Sequence, residues 1–306
     1  MIRHLTSLVL PALCLAACLG LNPAPMHDGD GSSSPGAPFL RRIYHDGDRL
    51  VYRFRATNKD RRKTVRYSAQ AACTVKRDTA GRYTESIAWS ELTVNESRMP
   101  AGAAEFRQIC SLDTSSRIVF PDISKVNPFL VGPISDLLIF YADFQLAARS
   151  YELNAPGTRT HVENSKPNSW ADGRRIRVGE DQLEFDLSLG EIDPADSTIT
   201  LSVRHSPPSW SNVNMPAHWM YHPIDSTPNN WVQVTRDEKG VYVGSIGSES
   251  YTVVMKIDLR TGAILNGTLE NIIDILQRDC ADSLLTNCGD TVRYTVRRQS
   301  EMQHIP

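Results

Sequence analysis

Arg49-Leu50-Val51-Tyr52-Arg53-Phe54-Arg55-Ala56-Thr57 decides the fold class. Leu50, Tyr52, Phe54 and Ala56 alternate with Val51, Arg53, Arg55 and Thr57, so one side is apolar and the other largely polar. A period of two marks a strand with one wet face. Tyr67, Ala69, Ala71, Cys73 and Val75 alternate likewise, after a basic stretch, Asn58 to Lys63, that reads as a solvated hairpin loop. Asp78-Thr79-Ala80-Gly81 makes a turn, and Tyr83 to Val94 returns as a strand. Such a succession is an antiparallel meander. Phe106 to Leu112 adds a strand with Cys110 on the side of Phe106 and Leu112.

The second half repeats the style. Leu183, Phe185, Leu187 and Leu189 alternate with polar residues, Asp193-Pro194-Ala195-Asp196 turns the chain, and Ile199, Leu201 and Val203 return with His205 in phase. Short strands are expected over Trp231–Arg236, Val241–Ile246, Tyr251–Leu259 and Ala263–Leu269, with Arg260-Thr261-Gly262 as a tight hairpin and a last strand around Val292, Tyr294 and Val296. One helix is expected to start at Gly132-Pro133. Its apolar stripe is Ile134, Leu137, Leu138, Tyr141, Phe144 and Ala148, which leaves Asp136, Asp143, Gln145 and Arg149 as the polar side. Asn271 to Arg278 reads as a second, shorter helix. The fold expected is mainly β: a curved, largely antiparallel sheet or partly open barrel with one or two packed helices. In outline it resembles the half-barrel-plus-helix carriers of bacterial lipoprotein trafficking, a likeness of architecture from which no function follows.

The N-terminus has its own pattern. Arg3 and His4 precede a mostly apolar stretch, Leu5 to Leu19, of signal-peptide length, too short and too broken at Pro11 for a membrane span. It closes with Leu15-Ala16-Ala17-Cys18, which resembles the lipobox of bacterial lipoproteins. The resemblance implies a signal peptide over 1–17 and a lipidated Cys18 that holds the mature chain to a membrane. It also implies an exported location on the periplasmic or outer surface. Leu19 stands where an Asp would mark inner-membrane retention, so the resemblance points to the outer membrane in a Gram-negative cell. Residues 18–40, with Asp28-Gly29-Asp30-Gly31-Ser32-Ser33-Ser34-Pro35-Gly36, read as a flexible tether, and 41–306 as a single β-rich domain. A formal net charge of −2 gives no electrostatic case for nucleic acid.

Apart from Cys14 and Cys18, four cysteines remain: Cys73, Cys110, Cys280 and Cys288. An even remainder in an exported chain reads as disulfides. The pairing preferred is Cys280–Cys288, closing a short loop, and Cys73–Cys110, which share an inward side.

No Gly-x-Ser-x-Gly, His-Glu-x-x-His or phosphate-binding loop is present, and no cofactor is expected. His205 ends an apolar row, as a core histidine or at a pocket mouth. His218 and His222 are four apart, a spacing that on a helix sets both imidazoles on one face. Pro216 and Pro223 flank the pair and no Glu lies between, so no metal centre is expected. The long connection Ser206 to Asn230 holds Trp210, His218, Trp219, Tyr221, His222 and Asp225 among several prolines. Stiffened aromatic and polar groups of this kind make it the first candidate for a binding surface, or a cap on the sheet. The function preferred is a non-enzymatic envelope binding or structural module with an envelope protein as partner. A carrier of an apolar ligand between sheet and helix, and a hydrolase without a recognisable motif, stay open as alternatives.

Overall fold

In a computed structural model, residues 39–306 are described except 62, 80, 101, 115, 117, 119–120, 123–125, 165–182, 208–216, 223, 225–228 and 237–239. Cys18 and the segments before residue 39 therefore lie outside the described residues. The chain is mainly β with one long helix. The strands are β1 (Arg49–Lys59), β2 (Thr64–Arg77), β3 (Tyr83–Val94), β4 (Ser97–Arg98), β5 (Arg107–Cys110) and β6 (Arg159–Asn164). They continue as β7 (Leu183–Asp193), β8 (Thr198–His205), β9 (Trp231–Arg236), β10 (Tyr242–Asp258), β11 (Ile264–Cys280) and β12 (Val292–Ile305). All belong to one open sheet of order β4-β3-β2-β1-β12-β11-β10-β8-β7-β6, with β5 on β3 and β9 on β10. Every pairing is antiparallel.

The period-two reading holds residue by residue in β1, where Tyr52, Phe54 and Ala56 are buried and Arg55 is exposed. Asn271 to Arg278 is not a helix: it is the second half of β11. Its buried Ile273 and Ile275 keep the phase of Leu269, and β-branched residues fit a pleated sheet. The expected strands Val241–Ile246 and Tyr251–Leu259 are likewise one strand, β10. At the β10–β11 hairpin Gly262 has φ +66, and a Cβ there would strike the backbone carbonyl of Arg41, which crosses the turn.

The helix α1 (Pro128–Arg149) begins a turn before Gly132-Pro133. Asn127 caps it, accepting from the Phe129 amide at 3.0 Å, and Pro128 takes the first position. Every residue from Leu130 to Ala148 is buried, including Asp136, Asp143 and Gln145. The expected polar side thus faces protein: the sheet meets Asp136 and Asp143, and the carbonyls of Ser111, Asp113, Thr114 and Ser116 meet Gln145 and Arg149. The ring of Phe140 lies on β11 at Gly267, where a Cβ would come within 2.6 Å of it. On the helix's remaining sides Leu40, Tyr44, Leu112, Ile118 and Leu153 complete the main core. α1 is long and apolar enough to cross a bilayer, yet it is a core helix, with 94% of that window buried.

Cys280 and Cys288 are joined in a disulfide. Cys73 and Cys110 are not: both are buried free thiols. Cys73 on β2 pairs with Ile87 of β3, and Cys110 on β5 pairs with Glu85 of β3. β3 therefore runs between them, and two interstrand steps are about 9.6 Å. A disulfide needs Cα atoms about 4.4–6.8 Å apart.

Candidate functional site: a buried polar row and an open groove

Cross-strand neighbours on the face that carries α1 form rows perpendicular to the strands. One row reads Phe185, His205, Tyr251, Asn271, Arg298 and Asn58, from β7 to β1. The next row reads Leu187, Val203, Val253, Leu269, Ser300 and Ala56. The first is polar over five strands although all its members are buried. Polar groups removed from water need partners. The helix supplies two of them. Asp136 and Asp143 are two helical turns apart, about 10.5 Å. Arg298 on β12 and Tyr251 on β10 are two strand spacings apart, about 9.6 Å. The helix therefore sets one carboxylate over each.

Arg298 donates to Asp136 through Nε (2.8 Å) and Nη2 (2.6 Å), and to Asn58 Oδ1 through Nη1 (3.1 Å). Ser300 Oγ donates to Asp136 Oδ2 at 2.8 Å, and the guanidinium lies 5.3 Å from the Tyr67 ring centre. At the other end Tyr251 Oη donates to Asp143 Oδ1 at 3.3 Å, while Asp143 Oδ2 has no hydrogen-bond partner among the described residues. Burial pushes the Asp143 carboxyl up to about 8, with the tyrosine pulling weakly the other way. Beside it Asn271 Nδ2 donates to Glu249 Oε1 at 2.8 Å. Burial pushes Glu249 up to about 7.

His205 is 2% exposed. Its Nδ1 lies 3.0 Å from the carbonyl of Glu184 and its Nε2 lies 3.3 Å from Asn230 Nδ2. A carbonyl only accepts and an amide nitrogen only donates, so this imidazole is neutral, with its proton on Nδ1. Burial holds its pKa below the usual histidine value. The rings of Phe185 and Tyr251 pack on it at 5.5 and 5.3 Å. It is a core histidine rather than a pocket-mouth one.

A second sealed cluster centres on Glu85. Tyr44 and Tyr141 donate to its two oxygens at 2.9 and 2.6 Å, and Arg42 stands 3.9 Å away. Burial raises the Glu85 pKa against these three groups. The thiols of Cys73 and Cys110 are pushed well up, first by burial and then by Glu85. Thiols in that state are poor nucleophiles.

The opposite face of the sheet is open. There Arg55 pairs with Glu301 across β1 and β12, and Thr57 with Gln299. A groove of about 720 Å³ crosses the middle of this face. Its hydroxyls come from Thr57, Ser68, Thr93, Thr252 and Thr268. Arg55 and Arg66 line the β1–β2 side, with Glu96 at their rim, and Glu270 and Glu301 line the β11–β12 side. Among the described residues no aromatic ring other than the buried Tyr67 borders it.

The 206–230 connection contributes at one end of that same face. Gly244 and Ile246 of β10 are out of phase with Tyr251 and Val253, which face α1, so they point to the opposite side. A small second core sits on them, made of Ala217, Met220, Val232, Ile246, Cys280 and Leu285. Met220, in the 3-10 helix His218–Tyr221, is its fully buried anchor, and half-buried Trp219 donates to the Leu285 carbonyl at 3.1 Å. His218, Tyr221 and His222 are exposed. Trp210 and Asp225 lie outside the described residues. Of the expected site residues the structure brings together His218, Trp219, Tyr221 and His222 in this one turn, and it sets His205 apart in the core. Among the described residues no group of three or more His, Cys, Asp or Glu is placed to hold a metal ion. The chain matches no protein-family model and no curated protein sequence.

Proposed function

We propose that the chain is an exported envelope protein, anchored through Cys18, whose β domain binds an envelope protein in the groove of its open sheet face and catalyses no reaction. The observation that carries the binding reading is a separation. Among the described residues the buried acid and base groups Glu85, Asp143, Glu249 and His205, whose pKa values burial displaces, are sealed in the core, whereas the groove that faces solvent is lined by hydroxyls and charged side chains. A general acid or base must come within hydrogen-bond reach of its substrate, and these four do not reach solvent. The anchor rests on Leu15-Ala16-Ala17-Cys18. An apolar-ligand carrier has less support, since α1 touches the sheet directly at Gly267 and through the Arg298–Asp136 pair.

The lining favours a protein over a glycan as partner. Sugar recognition draws on exposed aromatic faces, and the described lining of the groove offers none. Basic residues on one side and acidic residues on the other fit a polar protein segment of the reverse polarity. A photo-crosslinking residue at Thr57 or Thr268 in intact cells should capture the same protein from both positions. Arg55→Glu with Arg66→Glu should abolish that adduct, and Cys18→Ala should release the domain to the soluble fraction. Adducts that survive the charge reversal, or that form equally from Leu284 in the disulfide loop, would refute the groove. An unmodified, soluble wild-type chain would refute the anchor.

A further inference from the structure

His218 and His222 stand at the two ends of the 3-10 turn on the second core, both exposed. Their ring centres are 5.7 Å apart and their planes are inclined at 73°. The backbone beneath them is held at several points. Met220 between them is fully buried. Asn229 Nδ2 donates to the carbonyl of Met220 at 3.1 Å and to that of His222 at 2.9 Å. Trp219 Nε1 is tied to the carbonyl of Leu285, inside the loop closed by Cys280–Cys288. The two imidazoles thus project from a fixed base rather than from a loose loop, and a bound ion has little backbone freedom to freeze.

Imidazole is the commonest metal-binding side chain. Zinc lies about 2.0–2.1 Å from an imidazole nitrogen, hence about 3.2 Å from the ring centre, so two rings on one ion stand up to about 6.4 Å apart. The observed 5.7 Å falls inside that reach. We propose that His218 and His222 form an open two-histidine site for a divalent transition metal of the zinc, nickel and copper class. No third His, Cys, Asp or Glu joins them among the described residues, and two imidazoles leave further coordination positions open to water or another donor. The site is accordingly weak and exchangeable, and it favours metals that accept imidazole over magnesium or calcium. It lies apart from the groove and does not depend on how the groove is used.

The test is calorimetric titration of the full, tag-free chain with zinc ion alone, with magnesium as the control. Wild type should bind one zinc. His218→Gln and His222→Gln should each weaken binding at least about tenfold, since either leaves a single imidazole. His161→Gln, at an exposed histidine elsewhere, should bind as wild type does. Because both histidines are exposed, the melting temperatures of the two variants should match wild type and rule out misfolding. Wild-type affinity no better than that of the double variant would overturn the site. So would a loss confined to one of the two histidines, or binding of magnesium as tight as that of zinc.

Discussion

Asp136 and Asp143 lie two turns apart on one helix and are equally removed from water, yet the protein handles them in opposite ways. Asp136 meets a fully buried guanidinium in a two-point contact and also accepts from Ser300. Asp143 meets one tyrosine hydroxyl at 3.3 Å, keeps one oxygen without a partner, and has a pKa of about 8. The first end of the polar row is therefore charged and paired, and the second is neutral at pH 7. The difference follows from the strand beneath each carboxyl: β12 offers an arginine, β10 a phenol. A carboxyl in a dry site keeps its charge only where a counter-charge reaches it.

The Arg298 end should give the largest effect. Arg298→Met leaves the buried Asp136 carboxyl without its counter-charge, and should cost about 3–5 kcal/mol in urea denaturation. Adding Asp136→Leu should recover much of that loss, because a well-packed apolar pair removes the stranded carboxyl. If Arg298→Met costs less than about 1 kcal/mol, the pair is not isolated from water as described and the contrast between the two ends collapses.

This end of the row was legible in β12 and missed in α1. Val296, Arg298, Ser300 and Met302 share a phase, so an arginine and a serine stand at inward positions between the apolar Val296 and Met302. Asn58 and Asn271 carry the same signal in β1 and β11. On the helix, Asp136 and Asp143 looked like a solvent side because periodicity registers only chain neighbours, while Arg298 is 162 residues from Asp136. The strand alternation and the apolar helix stripe were readable because each is local. The inward direction of Cys73 and Cys110 was local too and read correctly. That β3 would run between them depends on strand order, which no window of sequence contains. The groove likewise draws residues from six strands and leaves no trace in any one of them.

The second effect is on pH dependence. An unfolded aspartate titrates near 3.9, and Asp143 in the folded chain titrates at about 8. Between those values the folded state holds a proton that the unfolded state has lost. The stabilising contribution is thus complete below pH 4 and disappears as the pH rises through 8. Glu249, at about 7, and Glu85, also raised, act in the same direction. His205 acts in the opposite direction: its pKa is lowered, so its contribution is lost as the pH falls through and below the unfolded histidine range. Three raised carboxyls outweigh the lowered histidines, His205 and the part-buried His304, so wild-type stability should fall from mildly acid pH to pH 8. Asp143→Asn should flatten that slope by up to about 1.4 kcal/mol per pH unit. A wild-type profile that is level between pH 5 and 8 would mean that Asp143 is ionised, and the two ends would then be alike.

The smallest effect isolates the Tyr251–Asp143 contact itself. The oxygens are 3.3 Å apart, well beyond the usual 2.7–2.8 Å of such bonds, so the bond is weak while Asp143 is neutral. Tyr251→Phe, combined with Asp143→Asn in a double-mutant cycle, should show a coupling of about 0.5–1 kcal/mol at pH 6. Above pH 8 the acceptor becomes a carboxylate, and coupling should rise toward about 1.5–3 kcal/mol, the range for a bond to a charged group. The same hydroxyl lowers the Asp143 pKa, so Tyr251→Phe alone should shift the alkaline limb of the stability profile to higher pH. Coupling that stays constant from pH 6 to 9 would place the titrating proton on another group. Glu249 is the nearest alternative in kind, and Glu249→Gln would then flatten the limb that Asp143→Asn had left in place.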